Sequence, residues 1–185
     1  MRGIGTAILS IMVALLMTVM ATGNDILLDD FSGKPADRWQ FFADTVMGGV
    51  SSGQLTFKQD GGVAYAHMIG KVSTANNGGF IQFRTRLDEA PADTIKGIRL
   101  VARGNGQRYF VHLRTSGTVL PWQYYQSGFD VTGDWQEFRL PLESFDRSGR
   151  LLRRIPRAAS LKSVGVVAFG RDHQADIQVR EIGFY

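Results

Sequence analysis

The 185-residue sequence contains no cysteine. Disulfides, thiolate metal sites, cysteine nucleophiles and a lipidated N-terminal cysteine are therefore excluded. Histidine is scarce: His67, His112 and His173 lie far apart and form no HxxxH or HxH pair, so the spacing speaks against a histidine metal site. Charged residues make up only 21% of the chain, with a formal net charge of +4. That mild basicity allows attraction to anionic surfaces without requiring nucleic acid. Sustained helical periodicity is missing after the N-terminus, and only a turn or two near Leu142 to Phe145 or Ala158 to Leu161 fits a helix. Catalytic signatures are missing as well. No Gly-x-Ser-x-Gly or His-Glu-x-x-His motif occurs, and Glu143, Asp146, Asp172 and Asp176 are scattered. An enzyme of the glycosidase kind would need two carboxylates within about 5–10 Å in one cleft, and nothing in the spacing favours one. The reading is of a protein that is not an enzyme and carries no cofactor.

What is present is a hydrophobic content of 44%, including 12 phenylalanines, enough for the packed core of one domain. The N-terminus is the clearest local signal. Arg2 is a short positive segment, Ile8 to Met20 carries no charge, and Ala21-Thr22-Gly23 supplies small residues for cleavage. This layout predicts a secretory signal peptide over residues 1–23, with a single domain over 24–185. The alternative is an uncleaved anchor in the inner membrane, since Gly3 to Gly23 just spans a bilayer core of about 30 Å. Either way the domain is expected outside the cytoplasm, in a periplasm.

From Asn24 onward, apolar residues alternate with polar ones at period two, punctuated by Gly, Asn, Asp and Pro. Strands are predicted at Ile26 to Leu28, Gln54 to Gln59, Val63 to Ile69, Phe80 to Leu87, Gly97 to Arg103 and Gln107 to Thr115. Further strands follow at Trp122 to Tyr125, Trp135 to Leu140, Ser163 to Phe169 and Asp176 to Tyr185. About ten short strands at this spacing predict an all-β sandwich or jelly roll.

Alternation also assigns faces. If Ile81/Phe83, Ile98/Leu100 and Tyr109/Val111/Leu113 point into the core, then Gln82, Arg84, Arg86, Arg99, Arg103, Phe110, His112 and Arg114 point outward. Were these strands neighbours, one face would gather guanidinium forks for carboxylate or phosphate groups beside a stacking aromatic. The plainer reading is a solvated face with ordinary charges. Trp122 and Tyr124, with Tyr125 on the opposite side, are candidates for stacking on a sugar or anchoring an interface, or else core. The loop from Asp44 through Gly48-Gly49 to Gly53 is either a glycine-shaped closure of a sandwich edge or a ligand cradle, although it lacks the phosphate-loop lysine. Gly78-Gly79-Phe80 carries the same ambiguity between a bulge and a site. The run Arg147, Arg150, Arg153, Arg154, Arg157, Lys162 is an anionic-lipid or nucleic-acid patch, or a solvated loop; export makes nucleic acid an odd partner. Asp29, Asp30 and Asp176 could hold a structural calcium ion if pairing of the first and last strands brings them together.

Several of these segments, taken in order, resemble the complex I intermediate-associated protein 30 family. They are Trp39 with Asp44-Thr45-Val46-Met47-Gly48-Gly49-Val50-Ser51-Ser52-Gly53, then Gly70-Lys71-Val72-Ser73 with Asn77-Gly78-Gly79-Phe80. Arg103 to Tyr109, Tyr125 to Phe129, Trp135, Leu140-Pro141-Leu142 with Phe145, and Ile182-Gly183-Phe184-Tyr185 complete the likeness. One turn departs from it, Gly104-Asn105-Gly106 standing where the family often has Gly-Asp-Gly. The resemblance implies a galactose-binding-like jelly roll, akin to carbohydrate-binding modules, and a chaperone role in assembling respiratory complex I. It transfers no catalytic residue. An exported chain would sit across the membrane from the peripheral arm of that complex, so the role does not carry over unchanged.

The combined expectation is a monomeric, non-catalytic, exported binding or assembly-factor-like protein. Its partner is expected to be a protein, with a glycan as the alternative; nucleic acid is not expected, and membrane contact is expected only through an uncleaved leader. The candidate binding residues are Asp44, Gly48, Gly49, Arg84, Arg99, Arg103, Phe110, His112, Arg114, Trp122 and Tyr124.

Overall fold

A computed structural model describes residues 25–185; the leader expected at residues 1–23 lies outside them. Twelve antiparallel strands form two six-stranded sheets. The first sheet runs β3 (Ser52–Asp60), β4 (Val63–Val72), β12 (His173–Phe184), β6 (Gly97–Gly104), β9 (Gln136–Pro141), with β1 (Ile26–Asp29) also paired to β12. The second runs β10 (Asp146–Arg147), β8 (Tyr125–Asp130), β7 (Arg108–Thr115), β11 (Leu161–Phe169), β5 (Phe80–Arg86), β2 (Gln40–Ala43). The architecture is the all-β jelly-roll sandwich that the alternation predicts.

The period-two pattern becomes the core directly. Ile81, Phe83, Ile98, Leu100, Tyr109, Val111 and Leu113 are all fully buried between the sheets, as alternation on paired strands requires. Single-turn 3-10 helices occur at Leu142–Ser144 and Ala158–Ser160, the two places where a helical turn fits the sequence. Among the described residues no helix is long and apolar enough to cross a membrane.

Two departures from the predicted strands bear on the site. Trp122 to Tyr124 is a turn, and the strand is Tyr125–Asp130. Arg114 explains the shift: its guanidinium donates to the carbonyls of Thr118, Leu120 and Pro121. Gln123 closes the same loop through its side chain to Leu120 N at 3.0 Å. The backbone of Trp122 to Tyr124 itself is spent elsewhere: Gln123 N donates to Leu120 O, and Ser148 engages Trp122 O, Tyr124 N and Tyr124 O, so these groups cannot join a ladder. The second departure is β2, which pairs with β5 at the edge of the second sheet; its consecutive Phe41-Phe42 shows no alternation, because both rings are only partly buried.

Two buried carboxylates fasten the ends of the sandwich. Asp29 accepts Phe31 N at 2.7 Å, Trp39 Nε1 at 2.8 Å and both Nε and Nη2 of Arg38 at 2.7 and 2.9 Å. Phe31 takes a left-handed φ of 59° so that its ring enters the core against Trp39. Asp29 is thereby engaged, and β1 meets β12 at Ile182 to Phe184, six residues or more from Asp176. At about 3.3 Å per residue this keeps Asp176 well away. Asp176 pairs instead with His67 at 2.8 Å. The carboxylate cluster for calcium does not form.

Candidate functional site

The outward face of the second sheet is built row by row from strand register. Gly165 on β11 lies between Arg84 of β5 and His112 of β7, and His112 lies opposite Gln126 of β8. In the next row Gln82, Val167, Phe110 and Gly128 stand abreast. Gly165 leaves a low floor at the centre. A methyl group there would come within 3.2 Å of Phe83 O and 3.3 Å of Arg84 Cβ, so a larger residue would fill the space between Arg84 and His112.

Around this floor the polar groups are unusually short of partners. Arg84 sits 4.6 Å over the Phe42 ring and forms no ion pair among the described residues. Burial, and then the charges of Arg114 and Arg86, press its guanidinium pKa down; no carboxylate offsets them. His112 stacks on Tyr124 with ring centroids 4.2 Å apart, and Phe169 meets both rings edge-on. Burial drives the His112 pKa down to about 4, the Gln126 amide offsetting only part. The imidazole is therefore neutral at pH 7. Its Nε2 and the Oε1 of Gln126 are both buried, and the Gln126 amide that neighbours the imidazole falls short of hydrogen-bond geometry, a costly condition in a folded protein. A cavity of about 50 Å³, lined by Gln82, Arg84, His112, Arg114, Gln123 and Tyr124 among others, opens beside them.

The opposite sheet treats its charges differently. Arg99 reaches Glu137 at 2.8 Å, Glu181 at 2.8 Å and Asp25 at 3.3 Å, and Arg139 joins Asp25 and Glu137. Arg103 donates to Gln178 at 2.8 Å and lies 4.6 Å over Trp135. Two buried atoms of β12 are left over there: His173 Nε2 and Arg180 Nε, the latter's guanidinium lying 5.3 Å from the same Trp135 ring. The expectation that Arg99 and Arg103 share a face with Arg84 is thus corrected: β6 belongs to the first sheet, and its arginines bind their own neighbours. The second sheet brings together Arg84, Phe110, His112, Arg114 and Tyr124. Of these, Arg114 spends its donors on the loop after β7. Trp122 stands on that loop, 64% exposed, while Tyr125 is core.

The carboxylates gathered on Arg99 are the nearest approach to an acid pair. Hydrogen bonding from Arg139 first, then from Arg99, holds Glu137 below the usual carboxylate range. A general acid needs the reverse shift. Among the described residues no group of three or more His, Asp or Glu side chains is placed to hold a metal ion.

Asp44 and its glycines form a structural clasp rather than an open cradle. Asp44 is fully buried and accepts Ser51 N at 2.9 Å, Ser51 Oγ at 2.5 Å, Gly79 N at 2.5 Å and Phe80 N at 3.2 Å. Burial alone would raise its pKa; the bonds from Ser51, Gly79 and Phe80 outweigh it and hold the group ionised. A Cβ on Gly49 or Gly78 would lie 2.3 or 2.4 Å from this carboxylate. Gly48 turns the chain at φ 88°. The two glycine motifs, read separately in the sequence, are two halves of one knot around Asp44.

The signature of complex I intermediate-associated protein 30 matches residues 30–179, taking in this knot and both sheets. The chain belongs to the complex I intermediate-associated protein 30 family. Within that family match, the Gly-Asn-Gly turn has a local explanation. The Asn105 amide donates to Gln174 O and accepts from Tyr109 OH, both at 2.8 Å; an aspartate could make only the second bond. No curated protein sequence matches the chain. Among solved structures, it is similar to the family 11 carbohydrate-binding module of a cellulosomal cellulase of Clostridium thermocellum. That likeness has a TM-score of 0.70 at 13% identity, over 87% of this chain and 94% of the other. It is also similar to the family 30 module of another cellulosomal cellulase of that organism, with a TM-score of 0.53 at 10% identity, over 73% and 89%. These likenesses show the fold of this chain.

Proposed function

We propose that this member of the complex I intermediate-associated protein 30 family is an exported, non-catalytic binding protein that engages a protein partner on the outward face of its second sheet. The observation that carries the proposal is the contrast between the two faces. The first sheet pairs Arg99 and Arg139 with carboxylates, whereas the second leaves Arg84 without an ion pair among the described residues, beside the buried His112 and Gln126 and a glycine floor. Arginine, tyrosine and phenylalanine together have the composition of an interface hot spot. An acidic side chain of the partner would supply what Arg84 lacks.

The test is site-specific capture. A photo-crosslinking residue in place of Phe110 is expected to trap one protein from a periplasmic extract, and the same residue in place of Tyr65 on the first sheet is not. Arg84→Glu should weaken capture at least about tenfold, the scale of losing one charged interface bond. Equal capture from both faces, or capture indifferent to Arg84→Glu, would overturn the assignment.

A glycan is the second reading, favoured by Trp122 standing exposed beside the stacked Tyr124–His112 pair. One of the structures similar to this chain is a family 11 module in complex with a β-1,3-1,4-mixed-linked tetrasaccharide. Glycan-array binding that vanishes in Trp122→Ala would move the conclusion to this reading.

A further inference from the structure

The arginine run after β10 and the tip of the aromatic loop after β7 lie at the margin of the binding face, and the fold sets them side by side. Ser148 joins them: its Oγ accepts Tyr124 N at 2.9 Å and donates to Trp122 O at 3.2 Å, while its own N donates to Tyr124 O at 2.9 Å. Both loops are internally braced. Arg114 holds the carbonyls of Thr118, Leu120 and Pro121, and Arg147 holds those of Arg150 and Leu152.

Bracing keeps apolar side chains in water. Leu151 is 94% exposed, Val119 77% and Trp122 64%. Each stands on a turn rather than in a groove, and the second loop flanks its apolar residues with Arg150, Arg153 and Arg154, all exposed. None of these three makes an ion pair among the described residues, whereas Arg157 is paired with Asp93 at 2.6 Å. Leucine, valine and tryptophan exposed on two joined loops, with unpaired arginines flanking the leucine, match the two layers of an anionic bilayer surface: acyl boundary and headgroup. A nucleic acid would use the arginines but leave Leu151 and Val119 exposed. A protein interface would more commonly set its apolar residues in a central patch away from charge.

We propose that these two loops dock the domain on an anionic lipid membrane, independently of any leader. This departs from the expectation that membrane contact comes only through an uncleaved leader. Trp122 is the natural reporter, because Trp39 is buried and Trp135 is covered by Arg103 and Arg180. Residues 1–24 contain no tryptophan, so a chain held only by its N-terminus would leave Trp122 in water.

The experiment mixes the full chain with vesicles of equal parts phosphatidylcholine and phosphatidylglycerol carrying brominated acyl chains. Tryptophan emission should shift to the blue and be quenched, and Trp122→Phe should remove the quenched component. Vesicles of phosphatidylcholine alone should quench weakly. The combined variant Arg150→Gln, Arg153→Gln, Arg154→Gln should lower partitioning at least about tenfold, given the attraction per basic residue near such a surface. Leu151→Ser should lower it too, and none of these exposed positions bears on folding. Unquenched Trp122 in the anionic vesicles, or quenching indifferent to the arginine substitutions, would overturn the proposal.

Discussion

At the scale of single residues, Asp44 does the most for the fold per atom. Its carboxylate collects backbone donors from Ser51, Gly79 and Phe80 in the absence of solvent. Asp44→Asn replaces one acceptor oxygen with a donor facing other donors, and should cost about 3–5 kcal/mol. Denaturant unfolding of the variant measures it; a cost under about 1 kcal/mol would mean that the knot is dispensable. The sequence displays the glycines around Asp44 but not their purpose. A glycine pair reports only that backbone or space is special, and the crowding group, Asp44 itself, lies 34 residues before the second motif.

At the scale of elements, the core-facing residues of β5, β6 and β7 were legible because period-two alternation survives wherever one face is buried. Which sheet a strand joins was not. Arg84 and Arg99 look alike in their local patterns, yet β5 lies in one sheet and β6 in the other. The Arg99 cluster ties β6 to β9, β12 and the segment before β1. Arg99→Ala leaves Asp25, Glu137 and Glu181 facing one another with only Arg139 nearby. Because those carboxylates are partly solvated, the expected loss is about 1–2 kcal/mol, seen as a lower Tm, with partner capture through Phe110 unchanged. Loss of capture with unchanged stability would place the binding face on the wrong sheet. The strand at Tyr125–Asp130 was placed three residues too early for a different reason. The loop before it is held by Arg114 and Gln123, side chains whose targets are set by the folded backbone.

The whole molecule's response to acid combines two kinds of group. His112 has a folded pKa near 4 against 6.5 when unfolded, so the unfolded chain takes up its proton first. Stability is full above about pH 6.5 and declines as the pH falls toward 4, by up to about 3 kcal/mol. Asp29 and Asp44 also have depressed pKa values, and their contribution is lost only below the ordinary carboxylate range. Burial lowers the His173 pKa in the same direction, so urea midpoints measured from pH 8 to 3 should fall in two stages, with His112→Gln shrinking the first. A single fall below pH 4 in the native protein would contradict the buried, neutral imidazole. The sequence by itself determined the all-β class, the inward-facing set and the family, because alternation, turn residues and motif order are local in the chain. Only the tertiary structure decided which arginines are paired and which, like Arg84, have no ion pair among the described residues. That depends on strand order between sheets, and pairing between distant segments leaves no local mark in the sequence.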